Sequence, residues 1–204
     1  MPNPEYPNPE FPNPEYIDAI RRLAAKIEAS LPQVEEPVKM VVAGGAAVHY
    51  YTAYRVSADV DAVFSKRLLL PDDLEVVWKD EDGKPRLLYL DKQYNDTFAL
   101  MHEDSVSDAI PCAELNAGKR KIHVYFLSPV DLAVSKLSRY EAVDQEDIRA
   151  LAARGLVSAA AVRARAEEAL GAYVGEMSRI KTSIKLACKM IDEVQHKHGK
   201  NKAG

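Results

Sequence analysis

In the run "RVSADVDAVFS", Arg55 to Ser65, Asp59 and Asp61 are two residues apart among Val56, Val60, Val63 and Phe64. No other feature constrains the fold as tightly. The apolar alternation predicts a strand, and on a strand residues i and i+2 share a face, which sets the two carboxylates side by side. Like charges that close repel, and Asp is a poor strand former. A fold that keeps the pair has to bring something positive to it. Upstream, "PVKMVVAGG" reads as a short apolar strand running into Gly44 and Gly45, and "AAVHYYTAYR" as a helix opening at Gly45. The order is therefore strand, Gly-Gly, helix, then a strand bearing Asp-x-Asp.

Each part of that order has a chemical use. Glycines after a strand allow the backbone to approach a ligand closely, and the following helix offers free N–H groups with a partial positive charge, which suits phosphates. Two carboxylates on one face suit Mg²⁺, a hard cation that prefers oxygen. A bound cation would also relieve the repulsion within the pair. Separately these signals are weak, since Gly-Gly is commonplace and an Asp-x-Asp usually faces water. Their order and their spacing, thirteen residues between Gly45 and Asp59, carry the inference.

"VVAGGAAVHYYTAYRVSADVDAVF" resembles the signature of the polymerase-β-like nucleotidyltransferases: a glycine followed by Gly or Ser, about a dozen variable residues, then acid, apolar residue, acid. The resemblance implies an α+β fold (mixed α/β), with a nucleotidyltransferase-like mixed sheet flanked by helices and a C-terminal helical segment after it. It implies transfer of a nucleoside monophosphate from an NTP, dependent on Mg²⁺ or Mn²⁺. Asp59 and Asp61 would be catalytic and hold the metal. Gly44 and Gly45 would cradle the nucleotide's phosphates, and Ser57, in "R-x-S-x-D-x-D", would contact them.

A second stretch, "LSPVDLAVSKLSRYEAVDQEDI", resembles a bacterial branch of the same superfamily that includes the nucleotidyltransferase toxins of abortive-infection and toxin–antitoxin systems. It keeps Asp131, Leu132, Lys136 and Leu137, then Asp144, Asp147 and Ile148. Lys136 would bind the triphosphate and Asp147 would orient it or a neighbouring cation; both join the catalytic set. Asp144 reads as a helix cap. Val143 stands where the branch usually has arginine, and Arg139, one turn earlier, is the nearest replacement. The branch implies a macromolecular acceptor hydroxyl, the 3′ end of a tRNA or other RNA first, or a protein hydroxyl in an AMPylating reaction. It also implies a cognate antitoxin or toxin protein as partner.

Many superfamily members carry a third carboxylate on a later strand. "KIHVYFL" has none, with His123 and Tyr125 where an acid would be sought; Asp91, Glu103 and Asp104 are the alternatives, and the sequence does not choose among them. That gap favours the competing reading, a non-catalytic nucleotide-binding or antitoxin-like module on the same fold.

The rest of the chain sets the domain plan. Residues 1–16 hold "PNPEY", "PNPEF" and "PNPEY" in tandem and half of the twelve prolines, which predicts a flexible, extended arm with an aromatic every fifth residue for a partner to grip. Residues 17–127 form the predicted core: an amphipathic helix over Ile17–Ser30, the strands above, a hairpin about "DEDGK", and "RKIHVYFL" as the last strand. Leu74 to Lys79 suits either strand or helix. Residues 128–204 read as helices, Val130–Tyr140, Gln145–Ala153, Ser158–Tyr173 and Ser178–Gln195, opening on Ser128 with Pro129 at the first turn.

Overall charge is −4, yet Lys181 to Gly204 holds six lysines against two acids. Lys181, Lys185 and Lys189 at i, i+4 spacing predict a basic helical face suited to an RNA backbone. Tyr50, Tyr51 and Tyr54 read as packing against the sheet. Two cysteines in no ligand spacing, no apolar run of membrane-spanning length and no secretion-signal pattern predict a cytoplasmic protein with no membrane partner.

Overall fold

The computed structural model describes residues 13–94 and 99–202, with side chains described as far as residue 197. They form two compact units, residues 13–94 with 109–127 and residues 99–108 with 128–202. The fold is α+β. The first two PNPE repeats lie outside the described residues.

In the sheet unit, α1 (Pro14–Ser30) begins inside the third repeat. The Asn13 side chain accepts hydrogen bonds from the backbone N–H of Glu15 at 3.0 Å and of Tyr16 at 3.3 Å. Pro14 occupies the first turn, where a missing N–H costs no hydrogen bond. The expected extended arm therefore does not reach residue 16: Asn-Pro-Glu is a helix start, and Tyr16 is fully buried with Ile17, Ile20, Leu23 and Ile27. Proline density masked this, because proline is tolerated at that one place in a helix.

The strands are β1 (Val38–Val42), β2 (Asp59–Val60), β3 (Ala62–Phe64), β4 (Glu75–Lys79), β5 (Pro85–Leu90), β6 (Ile110–Pro111) and β7 (Ile122–Phe126). They are ordered β3-β1-β7-β6 and β2-β5-β4. β1 runs antiparallel to β3 and parallel to β7; β2 runs parallel to β5, which pairs antiparallel with β4. The single strand expected over "SADVDAVF" is thus two. Residues before Asp61 pair with β5, residues after it pair with β1, and Asp61 sits at the exchange. Of Leu74 to Lys79, which by sequence suits either strand or helix, Glu75–Lys79 is strand, and Gly83, at φ +74°, makes the turn. Val76, Trp78, Leu88 and Leu90 are buried from these two strands, and α1 packs on both.

Between β1 and β2 lies α2 (Gly44–Thr52), opening one residue before the expected Gly45. Tyr50 stacks on Phe126 with ring centroids 3.8 Å apart, and the Tyr51 hydroxyl donates to the Leu127 carbonyl at 2.9 Å. Burial next to Cys112 and Glu114 pushes the Tyr50 hydroxyl up to about 12, so it stays protonated. These tyrosines pack, as expected.

The helical unit contains α3 (Pro129–Ser135), α4 (Ala142–Ala153), α5 (Ala159–Ala169) and α6 (Met177–Lys202). Ser128 caps α3 as expected, its Oγ accepting from the Asp131 N–H at 3.1 Å. α3 stops short of Tyr140, which has φ +51°. Ile180, Ile184, Ala187, Cys188 and Ile191 form the buried face of α6, which packs on α4 and α5, and Lys181, Lys185 and Lys189 stay exposed. Arg165 on α5 holds Asp131 and Asp108, each at 2.7 Å. Both cysteines are free and buried. No described helix is long and apolar enough to cross a membrane.

Candidate functional site

The Gly-Gly turn and the Asp-x-Asp segment meet. Gly44 has φ +57°, a region that favours glycine, and a Cβ placed on it would lie 1.8 Å from Asp61 Oδ2. The absent side chain is thus the space that the Asp61 carboxylate fills at the first turn of α2. A Cβ on Gly45 would lie 2.7 Å from Ser57 Oγ and 2.9 Å from an Arg55 guanidinium nitrogen. Ser57 Oγ in turn donates to Asp59 Oδ1. The structure therefore brings together five residues expected from sequence, Gly44, Gly45, Ser57, Asp59 and Asp61, and adds Arg55. The Arg55 guanidinium thus lies with Ser57 Oγ against Gly45, at the first turn of α2.

Backbone bonds hold the acids on both sides. Ala43 N–H donates to the Asp61 carbonyl at 2.8 Å, Tyr89 N–H to Ala58 at 2.9 Å and Asp91 N–H to Val60 at 3.1 Å. Asp59 stands opposite Tyr89 and Val60 opposite Leu90. The Asp91 bond follows directly after this ladder, just beyond the end of β5. Of the three candidate third acids, Asp91 lies in the same unit as Asp59 and Asp61 and directly follows β5; Glu103 and Asp104 lie in the helical unit. His123 and Tyr125, the first places searched, lie on β7, which pairs with β1 and β6 rather than with β2. The Asp91 carboxylate accepts from the Gln93 N–H at 2.8 Å. Among the described residues no group of three or more His, Cys, Asp or Glu side chains is placed to hold a metal ion.

Behind the acids lies an aromatic cluster. The Tyr16 hydroxyl donates to the Ser57 carbonyl at 3.0 Å, and its ring meets His49 and Trp78 edge-on at 4.6 and 5.2 Å. Burial, reinforced by the Asp59 charge, raises the Tyr16 hydroxyl well above the ordinary tyrosine range and keeps it a donor. His49 Nδ1 lies 3.0 Å from the Arg55 carbonyl, which can only accept, so Nδ1 carries the proton. Burial, with the Arg55 charge, lowers the His49 pKa and keeps the ring neutral. Neither residue was singled out from sequence as a site residue. Tyr16 was hidden in the repeat, and a lone histidine in an apolar helix carries no distinctive signal.

Lys136 and Asp147 belong to the helical unit and lie together. Lys136 Nζ is 2.7 Å from Asp147 and 3.9 Å from Asp144, and the three side chains are at most 7% exposed. Arg139 forks onto Asp144 at 2.8 and 2.7 Å. Arg139 thus supplies the positive charge that Val143 does not; Val143 is exposed. Asp144 is not the cap itself: Glu141 is, and Asp144 is its partner three residues on, accepting from the Glu141 N–H at 3.0 Å. Burial alone would raise the Asp144 carboxyl, but the Arg139 fork, the Glu141 N–H and Lys136 outweigh it and hold it below the usual carboxylate range.

No curated protein and no solved structure matches the chain. The family described as "Nucleotidyltransferase of unknown function (DUF6036)" matches residues 18–194, a span that includes the Gly-Gly turn, both aspartates and the Lys136–Asp147 pair. By that match, the chain belongs to this nucleotidyltransferase family.

Proposed function

We propose that the chain transfers a nucleoside monophosphate from an NTP to a macromolecular hydroxyl, using a divalent cation held at Asp59 and Asp61. The observation that carries this reading is the meeting of Gly44 with Asp61: a helix N-terminus stripped of side chains opens where the carboxylates lie. The donor set fits Mg²⁺, which keeps several waters and commonly takes only one or two protein carboxylates together with a substrate's phosphates. Two half-buried aspartates, with no group of three or more ligating side chains among the described residues, match that need. When bound, Mg²⁺ would neutralise phosphate charge and lower the pKa of the attacking hydroxyl.

The chain's own residues do the rest. The α2 N–H groups and Arg55 hold phosphate oxygens, and Ser57 orients Asp59. For Lys136, paired with Asp147 in the helical unit, the triphosphate-binding role rests on the sequence resemblance. The acceptor oxygen bonds to the α-phosphorus as the bond to the bridging oxygen breaks and pyrophosphate leaves. The hydroxyl's proton passes to a carboxylate, for which Asp91, just beyond β5, is the candidate. The exposed lysines of α6 support an RNA acceptor, tRNA first. A toxin role with a cognate antitoxin rests on the sequence resemblance.

The burial of Lys136 against two acids favours one second reading, a nucleotide-binding module without transfer, since that ammonium has to loosen an ion pair to meet a phosphate. One assay separates the two. Each α-labelled NTP is incubated with Mg²⁺, total tRNA and lysate proteins, alongside the Asp59→Asn variant. Label on RNA from the wild type alone supports transfer to RNA, and label on protein moves the acceptor to the AMPylating class. No label on any acceptor, with nucleotide still bound, supports the module.

A further inference from the structure

We infer that Tyr16, with His49 beside it, is a positioning residue for the Asp59–Asp61 segment, replacing strand hydrogen bonds that β1 is too short to supply. The inference rests on the reading of those aspartates as cation-holding.

The argument begins with the backbone of residues 55–61. On the β5 side, the carbonyls of Ala58 and Val60 accept from Tyr89 and Asp91. Three further carbonyls of this segment, those of Arg55, Ser57 and Asp61, have donors as well. Asp61 finds one in the Ala43 N–H, the last backbone group before the chain turns into α2 at Gly44. Nothing of β1 lies further along, because its last residue is Val42. Two side chains take over: Tyr16 donates to Ser57 at 3.0 Å and His49 donates to Arg55 at 3.0 Å. The carbonyls of Arg55, Ser57 and Asp61 are thus each held, by His49, Tyr16 and the Ala43 N–H in turn.

These bonds sit where a shift reaches the carboxylates. Ser57 is the residue whose hydroxyl donates to Asp59, so its carbonyl and its side chain are both anchored. Tyr16 is fully buried and Ser57 is 8% exposed, so water does not readily substitute for the lost donor. The family match covers residues 18–194, so it includes His49 and begins just after Tyr16. The brace also explains the third PNPE repeat, whose asparagine and proline start α1 so that its tyrosine arrives under Ser57.

The test uses Tyr16→Phe, which keeps the ring against His49 and Trp78 and removes only the hydroxyl, and His49→Phe as a second variant. Two readouts are taken on the full chain. Amide hydrogen exchange is expected to speed up about tenfold at residues 57–61 and to remain unchanged in β7 and α1. Affinity for Mn²⁺ in the presence of ATP is expected to fall about tenfold in Tyr16→Phe, with the fold intact by circular dichroism. Unchanged exchange at 57–61 in both variants would overturn the inference, as would an increase spread evenly over the sheet unit. Failure of the wild type to bind Mn²⁺ would instead refute the cation-holding role, and with it the positioning of a metal site, while the exchange result would still decide whether the brace exists.

Discussion

Two pairs of neighbouring aspartates, one in each unit, are treated in opposite ways. Asp144 and Asp147 in the helical unit are buried to 1% and 0% exposure, and the chain supplies two cations for them, Lys136 and Arg139. Asp59 and Asp61 in the sheet unit stay half-buried, Asp59 accepting from the Ser57 hydroxyl and Asp61 lying at Gly44. Burying a carboxylate requires a cation from the same chain, because the desolvation cost is several kcal/mol per ion. A half-buried pair keeps part of its hydration and needs less compensation from the chain, which is compatible with the proposed cation from solution.

That contrast can be broken by substitution. The largest effect is expected at the buried pair: Lys136→Ala leaves Asp147 without its cation and should cost about 3–5 kcal/mol in a urea melt. Replacing both partners, Lys136→Met with Asp147→Leu, should recover most of that loss but not the affinity for ATP, if the ammonium serves the triphosphate. Next comes Gly44→Ala. Its Cβ falls on the Asp61 carboxylate at a left-handed φ, so a loss of about 1–2 kcal/mol is expected together with loss of Mn²⁺ binding.

A smaller effect follows from pH. His49 has a folded-state pKa below its unfolded value near 6.5, so the unfolded chain binds the extra proton first. The stability that neutral His49 contributes is fully present above about pH 6.5 and is lost as pH falls from there toward the folded value. Melts of His49→Phe should lack this limb. Asp144 acts at lower pH, its contribution being lost as pH falls below about 4 toward its depressed folded value. The smallest stability change is expected from Lys181, Lys185 and Lys189 changed together to Ala, within about 0.5 kcal/mol. The same triple change should reduce the salt slope of single-stranded RNA binding by about 2.

Much of this was legible in the sequence, for reasons that differ by residue. Gly-Gly and Asp-x-Asp could be read because each is a local exception, glycines ending an apolar strand and charges inside one. The Ser128 cap and the hairpin turn are local too. The division of "SADVDAVF" at Asp61 was not legible, since it depends on which strands lie on either side. The same holds for Asp91, whose candidacy comes from its place just beyond β5 in the sheet unit and not from its own neighbours. Tyr16 was obscured by a repeat whose three copies share one helix-start pattern, so nothing local says which copy starts the helix.

The most direct test of the contrast is a Mn²⁺ titration in the presence of ATP, comparing the wild type with the double variant Asp59→Asn, Asp61→Asn. The double variant removes the like-charge repulsion and should fold at least as stably as the wild type. Saturable binding in the wild type, lost in the double variant, is the expected result. Equal binding by both would contradict the account.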